Sequence, residues 1–197
     1  LTLCKKIVLL FALLCFSAAL PVFAIEPFNV AVLPPVNTAG FNDPASMQII
    51  QSTIKKPFKY PYYSLMPQDA VQNAAKAYLA ENKSLHLTNE KSLTAIANKL
   101  SADIVVVVEL SRAKQTRFSS FRLDDTYVES DVALTCYAYS ALTKKYDVLK
   151  VKKWETEPES VDTAMSVILK ELTEELLVKL PYKRIPQAGL EKPENNV

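Results

Sequence analysis

Glycine is almost missing from this chain: its 197 residues include two, Gly40 and Gly189. Phosphate-cradling loops, dinucleotide fingerprints and nucleophile elbows all need clustered glycines, where the backbone turns sharply or approaches a ligand. None of them can be written here, and Gly40 reads as a turn residue in a loop over 36–42. Histidine is scarcer still, with His86 alone between Leu85 and Leu87. That leaves no basis for a histidine-built zinc site, nor for a serine–histidine–aspartate arrangement with a marked serine. His86 reads as an ordinary loop residue. Cys136 lies mid-strand between Leu134 and Ala138 with no charge nearby to favour a thiolate, so it reads as a small core residue. No catalytic group, metal or cofactor is expected.

The start of the chain supplies an address. Lys5 and Lys6 precede an apolar run over 7–16, and small residues follow, closing on Val22-Phe23-Ala24. That order is a secretory signal peptide with cleavage expected after Ala24. The run is shorter than the roughly 20 apolar residues a spanning helix needs. Cys15 follows Leu13-Leu14 rather than a small residue, so lipid attachment at Cys15 is not expected. The domain reading is 1–24 signal peptide, 25–182 a single domain, and 183–197 a polar tail expected to be disordered. The expected location is periplasmic or outer-membrane-associated, with no transmembrane helix after cleavage.

Removing 24 of 197 residues leaves 173, with 21 basic residues against 21 acidic ones, because Lys5 and Lys6 leave with the peptide. Balanced charge argues against a nucleic-acid partner, which calls for a basic surplus against phosphates. One remaining cysteine allows no internal disulfide. A chain of this length buries enough apolar surface to fold without one.

Residues 29–33 form a compact apolar run ended by Pro34-Pro35, a buried first strand. Asp43-Pro44 gives a helix N-cap and first position, with Met47, Ile50 and Ile54 on the apolar face. A short strand is expected over 62–66. A second helix follows on Val71, Ala74, Ala75, Tyr78 and Leu79, and a third from Asn89 on Leu93, Ile96, Ala97 and Leu100. Residues 104–108, all β-branched and without alternation, predict a central strand covered on both faces. Strands over 132–142 and 146–154 form a hairpin with one wetter side, turning at 143–145. Ser160 caps a final helix whose stripe runs from Val161 to Leu176 and which packs on the central strand, and Pro181 stops it. The fold class is α/β, with a mixed sheet of about five strands: early parallel crossovers, a late antiparallel hairpin, and packed helices.

Three pieces resemble a known group. Asn29-Val-Ala-Val-Leu-Pro-Pro35, Ala102-Asp-Ile-Val-Val-Val-Val108 and the hairpin over 131–154 are similar to the first strand, central strand and late strand pair of a periplasmic α/β domain. That domain is shared by CsgG-type curli-secretion proteins and the N-terminal domain of TolB. The likeness covers about 28–180. The hairpin turn Ala141-Leu-Thr-Lys-Lys145 lacks the glycine usual in that group. The resemblance implies an envelope protein that acts by assembly or partner binding; it does not imply a secretion pore.

The candidate site lies in the link over 112–131, which is long for a hairpin connection. Arg112, Lys114, Arg117 and Arg122 are interleaved with Phe118 and Phe121, a mixture suited to a protein partner or an anionic envelope surface. The competing arrangement folds both phenylalanines onto the sheet and pairs the arginines with Asp124 and Asp125. The acidic cluster Asp124, Asp125, Glu129 and Asp131 raises a second possibility, an extracytoplasmic hydrolase with paired carboxylates. A third is a small-ligand module with its cleft near 34–40. The leading expectation is an exported, non-enzymatic envelope protein that binds other envelope components, with an oligomer possible.

Overall fold

The computed structural model describes residues 26–82, 86–120 and 125–182. The expected signal peptide over 1–24 with Cys15, the expected tail over 183–197, and Phe121, Arg122 and Asp124 lie outside the described residues.

One mixed sheet organises the domain. Its strands are β1 (Phe28–Val32), β2 (Val36–Asn37), β3 (Tyr63–Leu65), β4 (Ile104–Ser120), β5 (Asp125–Ser140) and β6 (Lys145–Pro158). The order across the sheet is β3-β1-β4-β5-β6, and β2 also pairs with β4. β1 runs parallel to both β3 and β4, whereas β4, β5 and β6 are antiparallel neighbours. The expected α/β class, early parallel crossovers and late hairpin are all present. The predicted central strand is the middle one.

Uninterrupted apolar runs are what strands covered on both faces require. Val30, Val32, Ile104, Val106, Val108 and Leu110 enter one core. Ala31, Leu33, Val105 and Val107 enter a second core on the opposite face. The helices α1 (Pro44–Ile54) and α4 (Met165–Lys179) build the first, packing against each other with α4 over β5 and β6. A bond of 2.5 Å from Lys56 Nζ to Glu174 Oε1 ties their ends together. The helices α2 (Gln68–Glu81) and α3 (Glu90–Leu100) cover the second core. The expected Asp43 cap forms, accepting from the Ala45 and Ser46 amides at 3.1 and 3.3 Å, and Asn89, at the expected start of the third helix, caps it by accepting from the Lys91 amide at 3.1 Å.

Three expectations on the strands and helices need correction. The 36–42 loop contains β2, and its amides at Thr38 and Ala39 bond the Leu110 carbonyl, both at 3.0 Å. Gly40 does take a turn conformation, at φ +69°. The last helix begins at Met165, not at Ser160, and its contacts with the sheet are chiefly with β5 and β6 rather than β4. Ser160 and Thr163 instead close a local turn, the Thr163 hydroxyl donating to the Ser160 carbonyl at 2.9 Å. Val161 therefore lies outside the helix and 80 % exposed.

The largest correction concerns 112–131, which is not a connection between strands. β4 continues to Ser120 and β5 starts at Asp125, so the two form an antiparallel arm paired along its length. Alternation is the physical reason. Arg112, Lys114 and Thr116 are exposed while Ala113 and Gln115 are half-buried, the pattern of a strand with one wet face.

Candidate interaction face

A bulge decides which side chains this arm presents. Leu110 pairs with Leu134 and Arg112 with Ala133, so Ser111 is the extra residue. Its hydroxyl bonds the Ala133 carbonyl at 3.1 Å. Side chains alternate along a strand, and one inserted residue exchanges the two faces beyond it. Before the bulge, even-numbered residues of β4 point into the α1/α4 core. After it, Ala113 packs against that core, and Arg112, Lys114, Thr116 and Phe118 turn to the opposite, outer face. Without the bulge, Arg112 would aim into the core.

Register then places the outer face row by row. Arg112 lies across from Ala133 and Lys152; Lys114 from Asp131 and Trp154; Thr116 from Glu129 and Thr156; Phe118 from Tyr127 and Pro158. The helices α2 and α3 cover this same face only nearer β1, over Val105, Val107 and Tyr139. Outward of them the face carries large apolar groups in solvent: Trp154 at 71 % exposure, Phe118 at 45 % and Val148 at 42 %. The Phe118 ring stacks on Tyr127 with centroids 6.0 Å apart.

The structure brings together part of the expected set. Arg112, Lys114 and Phe118 share the outer face. Arg117 does not: it sits on the other face, opposite Val128, with Nε bonded to Glu159 Oε1 at 2.7 Å. Phe121 and Arg122 lie outside the described residues. Phe118 is not folded into the core. Arg112 pairs with Asp131 at 3.1 Å, whereas Asp124, one of the two partners expected for the arginines, lies outside the described residues.

Residues of β6 complete the face, and the sequence reading passed over them by concentrating on 112–131. Lys150, Lys152 and Trp154 recur every second residue, a period-two signal visible in the sequence. Lys150, Lys152 and Arg112 border a hollow of about 540 Å³ with Glu109, Thr135 and Tyr137. Both Glu109 oxygens are occupied: Thr38 donates to Oε1 at 2.8 Å and Tyr137 to Oε2 at 2.7 Å. Burial, reinforced by the bond to Glu109, pushes the Tyr137 hydroxyl up to about 12. Tyr146 stacks on Tyr137 with centroids 6.3 Å apart, and its own hydroxyl donates to the Thr88 carbonyl at 2.6 Å. Among the described residues neither Lys150 nor Lys152 forms a salt bridge. The hollow is thus a cationic patch whose one carboxylate is already bonded.

The remaining candidates fall elsewhere. Cys136 is fully buried in the α1/α4 core, and burial pushes its thiol up to about 12, far from a reactive thiolate. His86 is exposed, and its carbonyl accepts from the Ser92 hydroxyl at 2.7 Å. Asp125, Glu129 and Asp131 lie on strand β5 rather than in a loop. Asp131 is held by Arg112, and Glu129 accepts a long bond of 3.4 Å from the Trp154 indole. Among the described residues no three histidine, cysteine or acidic side chains form a group able to hold a metal. No described helix is long and apolar enough to cross a membrane.

No protein-family model matches the chain, and no curated protein matches it either. Solved structures share its shape at low identity. A lipoprotein from Neisseria meningitidis is 15 % identical with a TM-score of 0.44, covering 78 % of this chain and 97 % of its own. A hypothetical protein from Chlamydia trachomatis is 13 % identical with a TM-score of 0.46, covering 79 % and 97 %. The C-terminal domain of LpoB from Salmonella enterica is 13 % identical with a TM-score of 0.40, covering 68 % and 87 %. These are likenesses of shape, and the functional reading rests on this chain's own residues.

Proposed function

We propose that this chain is an exported, non-enzymatic component of a bacterial envelope that binds other envelope molecules through the outer face of its β4–β5 arm. The observation that carries the reading is the bulge at Ser111, which turns Arg112, Lys114 and Phe118 onto the part of the outer face that no described helix covers. An exposed aromatic flanked by cations supplies an anchor for affinity and a field for encounter. The export signal over 1–24 supports the compartment. The solved structures named above include one lipoprotein and do not include CsgG or TolB, so the resemblance to those two rests on the three sequence motifs alone.

The hydrolase reading gains nothing from the geometry, because Asp131 and Glu129 already have partners on the strand surface. The ligand-cleft reading is weakened likewise, since the segment after Pro35 is laid along β4.

Phe118→Ser is the test, read by a melting curve and by capture of partners from envelope extract. The expected outcome is an unchanged melting temperature with loss of the captured partners. A core aromatic would contribute roughly 1.5–3 kcal/mol on burial. A large fall in melting temperature, or capture as before, would defeat the proposal.

A further inference from the structure

β6 is an edge strand of 14 residues: β5 pairs with one side of it, and among the described residues the sheet ends there. Its other side presents backbone donors and acceptors to whatever approaches. The helix α4 leaves room alongside. A hollow of about 500 Å³ runs at this edge, bordered by Lys153, Trp154, Glu155 and by Glu171, Leu172 and Glu175 of α4.

The charge along the strand is divided. Lys145, Lys150, Lys152 and Lys153 occupy the first part with one acidic residue, Asp147, and Glu155 and Glu157 occupy the last. Edge lysines ordinarily repel stray strands, and a partner strand with basic or apolar residues would meet that repulsion. A second copy running antiparallel would not, because its acidic end arrives opposite the basic one.

We propose that β6 pairs antiparallel with β6 of a second copy of this chain, joining the two sheets across a two-fold axis at Trp154. Register follows from side-chain direction and charge. A two-fold axis normal to the sheet keeps the same face outward in both copies, so the strand can slide only in steps of two residues. Lys153 bonds its own Glu155 and Glu157 at 3.4 and 3.0 Å in the single chain. With Trp154 against the partner's Trp154, each Lys153 also faces the partner's Glu155, joining the two pairs into one alternating network. Lys152 then faces the partner's Thr156, and Val151 the partner's Glu157. Sliding by one step puts Lys153 against the partner's Lys153, or Glu155 against the partner's Glu155. Like charges directly opposite are destabilising. Around the strand centre, the register through Trp154 avoids them. It also covers the most exposed aromatic that β6 carries, 71 % accessible in the single chain.

The pairing is independent of the β4–β5 reading, since Phe118→Ser should leave it untouched. Protein purified as the cell makes it is weighed by sedimentation over a range of concentrations, and dimers are expected. Trp154→Cys should cross-link to itself under mild oxidation, because a residue on the axis meets its own copy; Cys136 is buried and does not compete. Lys150→Cys, remote from the axis, should not cross-link. Lys153→Glu and Glu155→Lys should each weaken association roughly tenfold or more by setting like charges opposite one another. Mixing the two variants should restore it through charge exchange between copies, although the pair within each chain stays broken. A monomer at every concentration overturns the proposal. So does a dimer in which Trp154→Cys fails to cross-link and the charge exchange fails to rescue.

Discussion

Ser101 and Lys144 sit in left-handed backbone, with φ of 51° and 53°. Glycine bears no Cβ penalty in that region, and a chain so poor in glycine meets the need with ordinary residues. Lys144 stands in the β5–β6 turn, where the resemblance led one to expect glycine. Ser101 ends α3, the position helices most often give to glycine. Replacing either residue with glycine should raise stability by up to about 1 kcal/mol in a denaturant titration. The buried acids make a second prediction. Burial raises the Cys136 thiol from 9.0, and the Tyr63 and Tyr137 hydroxyls from 10.0, each to about 12. Because the folded values exceed the unfolded ones, their stabilisation is full below about pH 9. It is lost as pH climbs toward 12, first through the thiol and then through the phenols. Melting temperature should hold near neutrality and fall steadily above pH 9, and Cys136→Ala should flatten the earliest part of that fall. A flat profile would contradict the burial.

At the scale of elements, the central strand was legible because its physics is local. Five successive β-branched residues have nowhere to go except between two apolar layers, and both cores receive them. Val106 is fully buried, and Val106→Asn would place an amide there without a partner, a loss of about 1–3 kcal/mol. Wild-type-like unfolding of that variant would contradict the position of β4. The arm was not legible for an equally physical reason. The apolar run from Ile104 gives way at Ser111 to alternating exposed and half-buried residues, and a bulge there looks in sequence like the end of a strand. The polar residues that followed therefore read as a loop. The true start of α4 was hidden differently: Ser160 resembles an N-cap, but Thr163 takes up its backbone and the helix waits until Met165. Of the candidate site, Arg112, Lys114 and Phe118 were found from composition. Their separation from Arg117 depended on the register, which the sequence does not display.

Across the whole molecule, helices cover both faces of the sheet near β1, while the β4–β6 end keeps its outer face open. One fold thus combines a well-packed core with an amphipathic surface that the described residues leave uncovered. The face's cations and carboxylates are partly paired, which favours a partner with both apolar and polar contacts over simple attraction to a polyanion. The most direct test places a photo-activated cross-linking residue at Phe118 in cells and asks what it captures in the envelope. A second copy of the probe goes at Lys76, exposed on α2 on the same side of the sheet. The account predicts a discrete adduct from position 118 and none from position 76. No adduct at 118, or the same adducts from both positions, would contradict it.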